Sequence, residues 1–184
     1  MIFWSDSMRE FTKPNFVRIK LISKKGAKMD YKVRPTNLDK LPKWSFPDSK
    51  LYEEIGEEGF IKLFDVFYDT IAESDIANFF PQDRAELAKI KAHNVKFFIE
   101  VSGGQPIYSQ ENGHVDMVKM HEPFSIPEKA RVEWLGCLKE VLSSVEASEE
   151  AKQSFWDYCE SFSSHLVNSA PHQTKYQELV NDRW

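Results

Sequence analysis

Hydrophobic positions along the chain follow two periods, and the change comes near residue 50. Within 16–34 they alternate. Val17, Ile19 and Leu21 share one face, Lys24-Lys25-Gly26-Ala27-Lys28 makes a turn, and Met29, Tyr31 and Val33 alternate with Asp30, Lys32 and Arg34. A period of two on either side of a glycine-bearing turn predicts a β-hairpin. Two strands alone are marginal in water, so the hairpin is expected to lie on a larger surface. Pro35, Pro42 and Pro47 then punctuate a linker, which Leu41, Trp44 and Phe46 are expected to pin to the body.

From Leu51 the period becomes helical. Leu51-Tyr52-Glu53-Glu54-Ile55-Gly56 reads as a short helix closed by glycine, and 57–72 as a strongly amphipathic one. Phe60, Leu63, Phe64, Phe67, Tyr68 and Ile71 fall on one stripe at three- and four-residue spacing. Residues 75–81 read as a turn with Phe79 and Phe80 pointing inward. The next helix spans 84–101, with Leu87, Ile90, Asn94, Phe97, Phe98 and Val101 on its inner face. Ser102-Gly103-Gly104-Gln105-Pro106 stops it. An irregular segment after Ile107-Tyr108 leads to a short run ending at His121. Long helices are predicted from Pro127 through Val145 and over 149–167, followed by a polar tail. The expected organisation is an extension at 1–50, an all-α body of about five helices at 51–169, and a tail at 170–184.

Charge sharpens the boundary. Residues 1–50 carry 12 Lys and Arg against 5 Asp and Glu, whereas 51–184 carry 12 against 24, within a net charge of -5. A basic arm on an acidic body either docks on that body or meets an acidic partner, and its interspersed apolar residues favour docking. Fourteen phenylalanines and five tryptophans are many for 184 residues. Aromatics fill cores and also line pockets for flat ligands. Cys137 and Cys159 sit inside helical patterns without metal-type spacing and read as buried thiols in a reducing, cytoplasmic setting. No apolar run approaches the roughly 18 residues of a membrane span. No phosphate loop, Cys-x-x-Cys, His-Glu-x-x-His or nucleophile signature is present, and no nucleic-acid partner is expected.

Three inward polar side chains need an explanation. Tyr68 and Asn94 interrupt apolar stripes, and a buried hydroxyl or amide requires a partner. His121 ends a short amphipathic run that Glu122-Pro123 breaks, with Phe124 and Ile126 beyond as an apolar shelf. A helix-end histidine is usually a capping or partly buried residue. It can also ligate a metal through one ring nitrogen while the other is held by a hydrogen bond. His114 in its Gly-His loop is expected in solvent, and His165 is expected to bond carbonyls.

The run Gly103-Gly104-Gln105-Pro106-Ile107-Tyr108, Gly113-His114, Met120-His121-Glu122-Pro123-Phe124-Ser125-Ile126 and Trp134-Leu135-Gly136-Cys137-Leu138 resembles the truncated haemoglobins, most closely their second group. Phe67-Tyr68-Asp69, Phe79-Phe80-Pro81 and His165-Leu166-Val167-Asn168 fit in the same order. The resemblance covers about 51–169. It implies a globin-like two-over-two helical sandwich enclosing haem b (iron protoporphyrin IX), with His121 as the iron ligand. It further implies that Phe80 packs on the porphyrin and that Tyr68, Ile90, Asn94 and Trp134 line the distal side. Phe97 and Phe124 would wedge the ring, beside Ile126, and Tyr108 would reach a propionate. Met120 stands where many relatives have arginine, so propionate anchoring would fall to Lys119 or Lys96. His93 lies where some relatives supply a second iron-binding histidine, and a propionate-facing or solvated role is preferred for it here.

The resemblance makes the expected ligands O2, NO or CO, with an unidentified reductant, in a monomer or homodimer. The Tyr68 hydroxyl and Trp134 indole, with the Asn94 amide, would stabilise bound oxygen by about 0.5–1.5 kcal/mol each. Donors in that number slow oxygen release, which suits NO dioxygenase-like or peroxidase-like chemistry better than transport. The competing readings are a gas or redox sensor signalling through the basic arm, and a haem-free helical module. Tyr68, Asn94 and Trp134, as inward polar handles, have no use in the last.

Overall fold

A computed structural model describes residues 31–169. Six α-helices form the body: α1 (Lys50–Ala72), α2 (Arg84–Val101), α3 (Ile107–Asn112), α4 (Met117–His121), α5 (Glu128–Ser144) and α6 (Glu149–Ser163). Short 3-10 turns occupy Ala77–Phe79 and Ser164–Leu166. Helix α1 packs against α2, α5 and α6, and α5 packs on α6. The layers are the α1–α2 and α5–α6 pairs, which gives the expected two-over-two sandwich.

The stripe on α1 explains the core. Phe60, Leu63, Phe64, Phe67, Tyr68 and Ile71 are all buried, each large apolar side chain contributing roughly 1.5–3 kcal/mol of transfer free energy. Gly56 breaks the helix geometry with φ 64° and ψ -173°, a conformation essentially confined to glycine. The short helix and the long one predicted from the sequence are therefore two limbs of α1. Asp83 caps α2 by accepting from the Ala85 and Glu86 amides, and Ser148 caps α6 by accepting from Ala151. Glu54 reaches across from α1 to Ser148, accepting from its hydroxyl at 2.6 Å. These bonds hold the Glu54 carboxyl below the ordinary carboxylate range.

Several expectations are corrected. Phe79 is 44% exposed, so only Phe80 of that pair packs against the core. The segment after Pro106 is not wholly irregular, because Ile107–Asn112 is helical. The last helix stops at Ser163 and tightens into the 3-10 turn. The predicted hairpin lies outside the described residues except for 31–34, which form no strand. Tyr31 and Val33 nevertheless point inward: Tyr31 meets Trp156 edge-on at 4.8 Å, and Val33 joins the core. The tail at 170–184 lies outside the described residues.

The linker docks through aromatics and charge. Trp44 packs on Phe162 at 4.8 Å and Phe46 on Tyr158 at 5.9 Å. His165 Nε2 donates to the Pro42 carbonyl at 2.8 Å. Beneath 34–36 lies a buried charge cluster. Arg131 donates to the Arg34 carbonyl (2.9 Å), Glu128 (3.0 Å), Ser163 (3.1 Å) and the Glu160 carboxylate (3.0 Å). Glu160 also accepts from the Arg34 guanidinium and main-chain amide. Cys137 and Cys159 are both buried.

Candidate functional site

Helix α4 has five residues, too few to persist alone in water, and it is tied at both ends. Asp116 accepts from the Lys119 amide at 3.1 Å. At the other end Asn168 donates to the His121 carbonyl at 3.1 Å. His121 is half-buried, with Nδ1 2.6 Å from the Met117 carbonyl. A carbonyl oxygen only accepts, so Nδ1 carries a proton, and in the neutral ring Nε2 keeps its lone pair. That is the tautomer a metal requires, and the contact also fixes the ring's orientation. Phe124, its ring 6.4 Å from that of His121, is 58% exposed. Val118 and Met120 are exposed on the same short stretch.

A second group is built from α1, α2 and α5. Tyr68 is buried, and Asn94 Nδ2 donates to its hydroxyl oxygen at 2.5 Å. The phenolic proton is thereby left for another acceptor. Burial pushes the Tyr68 pKa up to about 12, against the opposing effect of the Asn94 bond. Phe80 meets Tyr68 edge-on at 5.8 Å. Phe67 lies between Tyr68 and Trp134, at 5.5 Å and 5.1 Å from their rings. Ile90 is half-buried against the core.

Farther along α2, His93 and Phe97 pack on Tyr108 of α3 at 4.9 Å and 5.3 Å. Burial, with Glu100 nearby, raises the Tyr108 pKa. Lys96 is committed to Glu111, 2.7 Å from both carboxylate oxygens, whereas Lys119 is exposed. Ile126 is half-buried, and its amide donates to Asn168 Oδ1 at 2.9 Å. The predicted residues thus fall into three groups: Tyr68, Asn94, Phe80 and Trp134 with Ile90; His93, Phe97 and Tyr108; and His121, Phe124 and Ile126 with Lys119. Two contributors carried no signal that assigned them a role. The Met117 carbonyl is main chain, and Asn168 stood in a matched motif without a function.

The bacterial-like globin family matches residues 50–168. The chain belongs to that family. The globin is 32% identical over 118 residues to the group 2 truncated haemoglobin YjbI of Bacillus subtilis (strain 168), covering 64% of this chain and 87% of that one. Among solved structures it is similar to phosphate-bound Hell's gate globin IV, with TM-score 0.69 and 29% identity over 82% of this chain and 98% of that chain. It is also similar to the truncated oxygen-avid haemoglobin from Bacillus subtilis, with TM-score 0.58 and 30% identity over 64% and 98% of the two chains. Family membership makes this a haem-binding globin. The residues present fit that cofactor: an imidazole with a free Nε2, an exposed apolar surface beside it, and a protonated hydroxyl joined to an amide.

Proposed function

We propose that this globin holds haem b through His121 Nε2 and retains a diatomic ligand, O2 foremost, under the Tyr68–Asn94 pair. Haem held there by His121 would supply an iron able to bind a diatomic gas. The observation that carries the reading is the His121 Nδ1 bond to the Met117 carbonyl. It leaves Nε2 as the atom that would bind a metal and fixes the ring's orientation.

The other residues act on the ligand and on the ring. Tyr68, protonated at every physiological pH, directs a hydrogen bond at negative charge developing on the ligand, and Asn94 orients that hydroxyl. Trp134 adds a second donor. Phe80 would pack on the porphyrin, Phe97 and Phe124 would wedge it beside Ile126, and Tyr108 and Lys119 would meet the propionates. His93, packed on Tyr108, would face a propionate or solvent rather than the iron. A similar truncated haemoglobin from Bacillus subtilis is oxygen-avid, and donors such as Tyr68 would slow oxygen release from this globin. Slow release suits the oxidation of NO or the activation of peroxide, with electrons from a separate reductant.

The test is the absorption spectrum of the ferric, ferrous and carbonyl forms. Wild-type protein is expected to show a Soret band in each state. His121→Ala is expected to lose the histidine-ligated ferrous and carbonyl signatures. An unchanged coordination spectrum in His121→Ala would reject His121 as the ligand.

A further inference from the structure

We propose that Asn168 is a positioning residue for His121. The inference rests on His121 being the iron ligand.

The carboxamide of Asn168 is engaged on both sides. Its Nδ2 donates to the His121 carbonyl at 3.1 Å and to the Phe124 carbonyl at 2.8 Å. Its Oδ1 accepts from the Ile126 amide at 2.9 Å. Carbonyls accept and amides donate, so only one orientation of the side chain satisfies all three. The main chain repeats the tie: the Asn168 amide bonds the Ile126 carbonyl at 3.1 Å, and the Ser169 amide bonds the same carbonyl at 3.3 Å. One residue following the turn after α6 therefore fixes both ends of the segment from His121 to Ile126.

This segment needs such a tie. Helix α4 spans little more than one turn, and Pro123 prevents its continuation. The last carbonyls of a helix have no partner within it; that of His121 accepts from the Phe124 amide in the turn beyond at 3.1 Å, and Asn168 adds a second donor from outside the segment. The Met117 carbonyl sets the rotation of the imidazole only while this turn stays wound. Asn168 thus acts on the iron bond through the backbone that carries the ring. Three residues earlier, His165 bonds the Pro42 carbonyl, so the same turn also anchors the linker.

A plain structural tie would stabilise the loop and leave the iron–histidine bond unchanged. Three haem-loaded variants separate the two cases. Asn168→Asp keeps the acceptor for Ile126 and loses both donors. Asn168→Ala loses all three bonds. Asn168→Gln keeps the groups but displaces them by a methylene. Resonance Raman spectra of the ferrous proteins report the iron–histidine stretch. The stretch is expected to broaden and move to lower frequency in Asp and Ala and to recover in part in Gln. Haemin transfer to a scavenger is expected to speed about ten-fold in Asp and Ala, the lower end of what a lost outer partner costs a metal site. An unchanged stretch in both would overturn the proposal. Hydrogen exchange on wild-type protein gives a check that needs no variant. The Ile126 amide is expected to be protected, and free exchange there would also overturn the proposal. If His121→Ala leaves the stretch unchanged, the ligand assignment fails. If His121→Ala abolishes it and the Asn168 variants do not move it, only the positioning role fails.

Discussion

Tyr68 shows how burial tunes one side chain for two tasks. Its hydroxyl accepts from Asn94 and keeps a proton to give. Tyr68→Phe removes that donor, and stopped-flow mixing is expected to show oxygen leaving about two- to twelve-fold faster, the equivalent of one net hydrogen bond. An unchanged rate would remove Tyr68 from the ligand's surroundings. The raised pKa also has a consequence for folding. In the unfolded chain tyrosine releases its proton near pH 10, while folded Tyr68 holds it to about 12. Its contribution to stability is therefore complete below about pH 10 and declines as pH rises through about 12. Burial raises Tyr31 and Tyr158 as well. Thermal unfolding followed from about pH 9 to about pH 11 is expected to show Tm falling, and less steeply in Tyr68→Phe. Tyr68 and Asn94 were legible in the sequence because a polar group on an apolar stripe demands a partner; the structure makes them each other's. Phe79 was misread because the 3-10 turn sends adjacent residues in different directions.

Among the elements, those with a broad apolar stripe were legible and the small ones were not. The range of α2 was read from the sequence to the residue, with periodic apolar positions before it meets a glycine pair. Helix α3 escaped because Tyr108 is its one buried residue, which makes no stripe. Two glycines govern element geometry by different physics. An added Cβ at Gly104 would lie 2.4 Å from Ile99 Cγ2 and 2.9 Å from Tyr52 Cε2, where the end of α2 meets α1. A Cβ at Gly56 would meet nothing within 4 Å, but φ there is +64°. Gly104→Ala is expected to cost about 1–3 kcal/mol through overpacking. Gly56→Ala is expected to cost a similar ~1–3 kcal/mol through backbone strain alone. Denaturant unfolding measures both, and Gly104→Ala is also expected to alter the near-ultraviolet signal of Tyr52.

For the whole molecule, the stripes made an all-α body of several helices legible, and the two-over-two arrangement came with the family resemblance. The buried Arg131–Glu160 pair was not legible, because charges on helices ordinarily mark solvated faces. Both side chains are almost fully enclosed. Glu160→Ala takes one carboxylate from a buried guanidinium that keeps Glu128, and is expected to cost about 3 kcal/mol, the low end for breaking a buried pair, in equilibrium unfolding. A chain beginning at Lys50, where the family match begins, loses the Arg34 contacts, Val33 from the core and Trp44 from α6. Its Tm is expected to fall below that of a chain beginning at Tyr31. The Arg131 guanidinium has a wider consequence. It grips the main chain ahead of the helices, its own helix and the one after it in a single set of bonds. No one of these can come loose without exposing the others' unmet charge. Melting is then a single cooperative event in which residues 34–36 and the α5–α6 pair give way together, and calorimetry should record one peak with no early shoulder from a detaching leader.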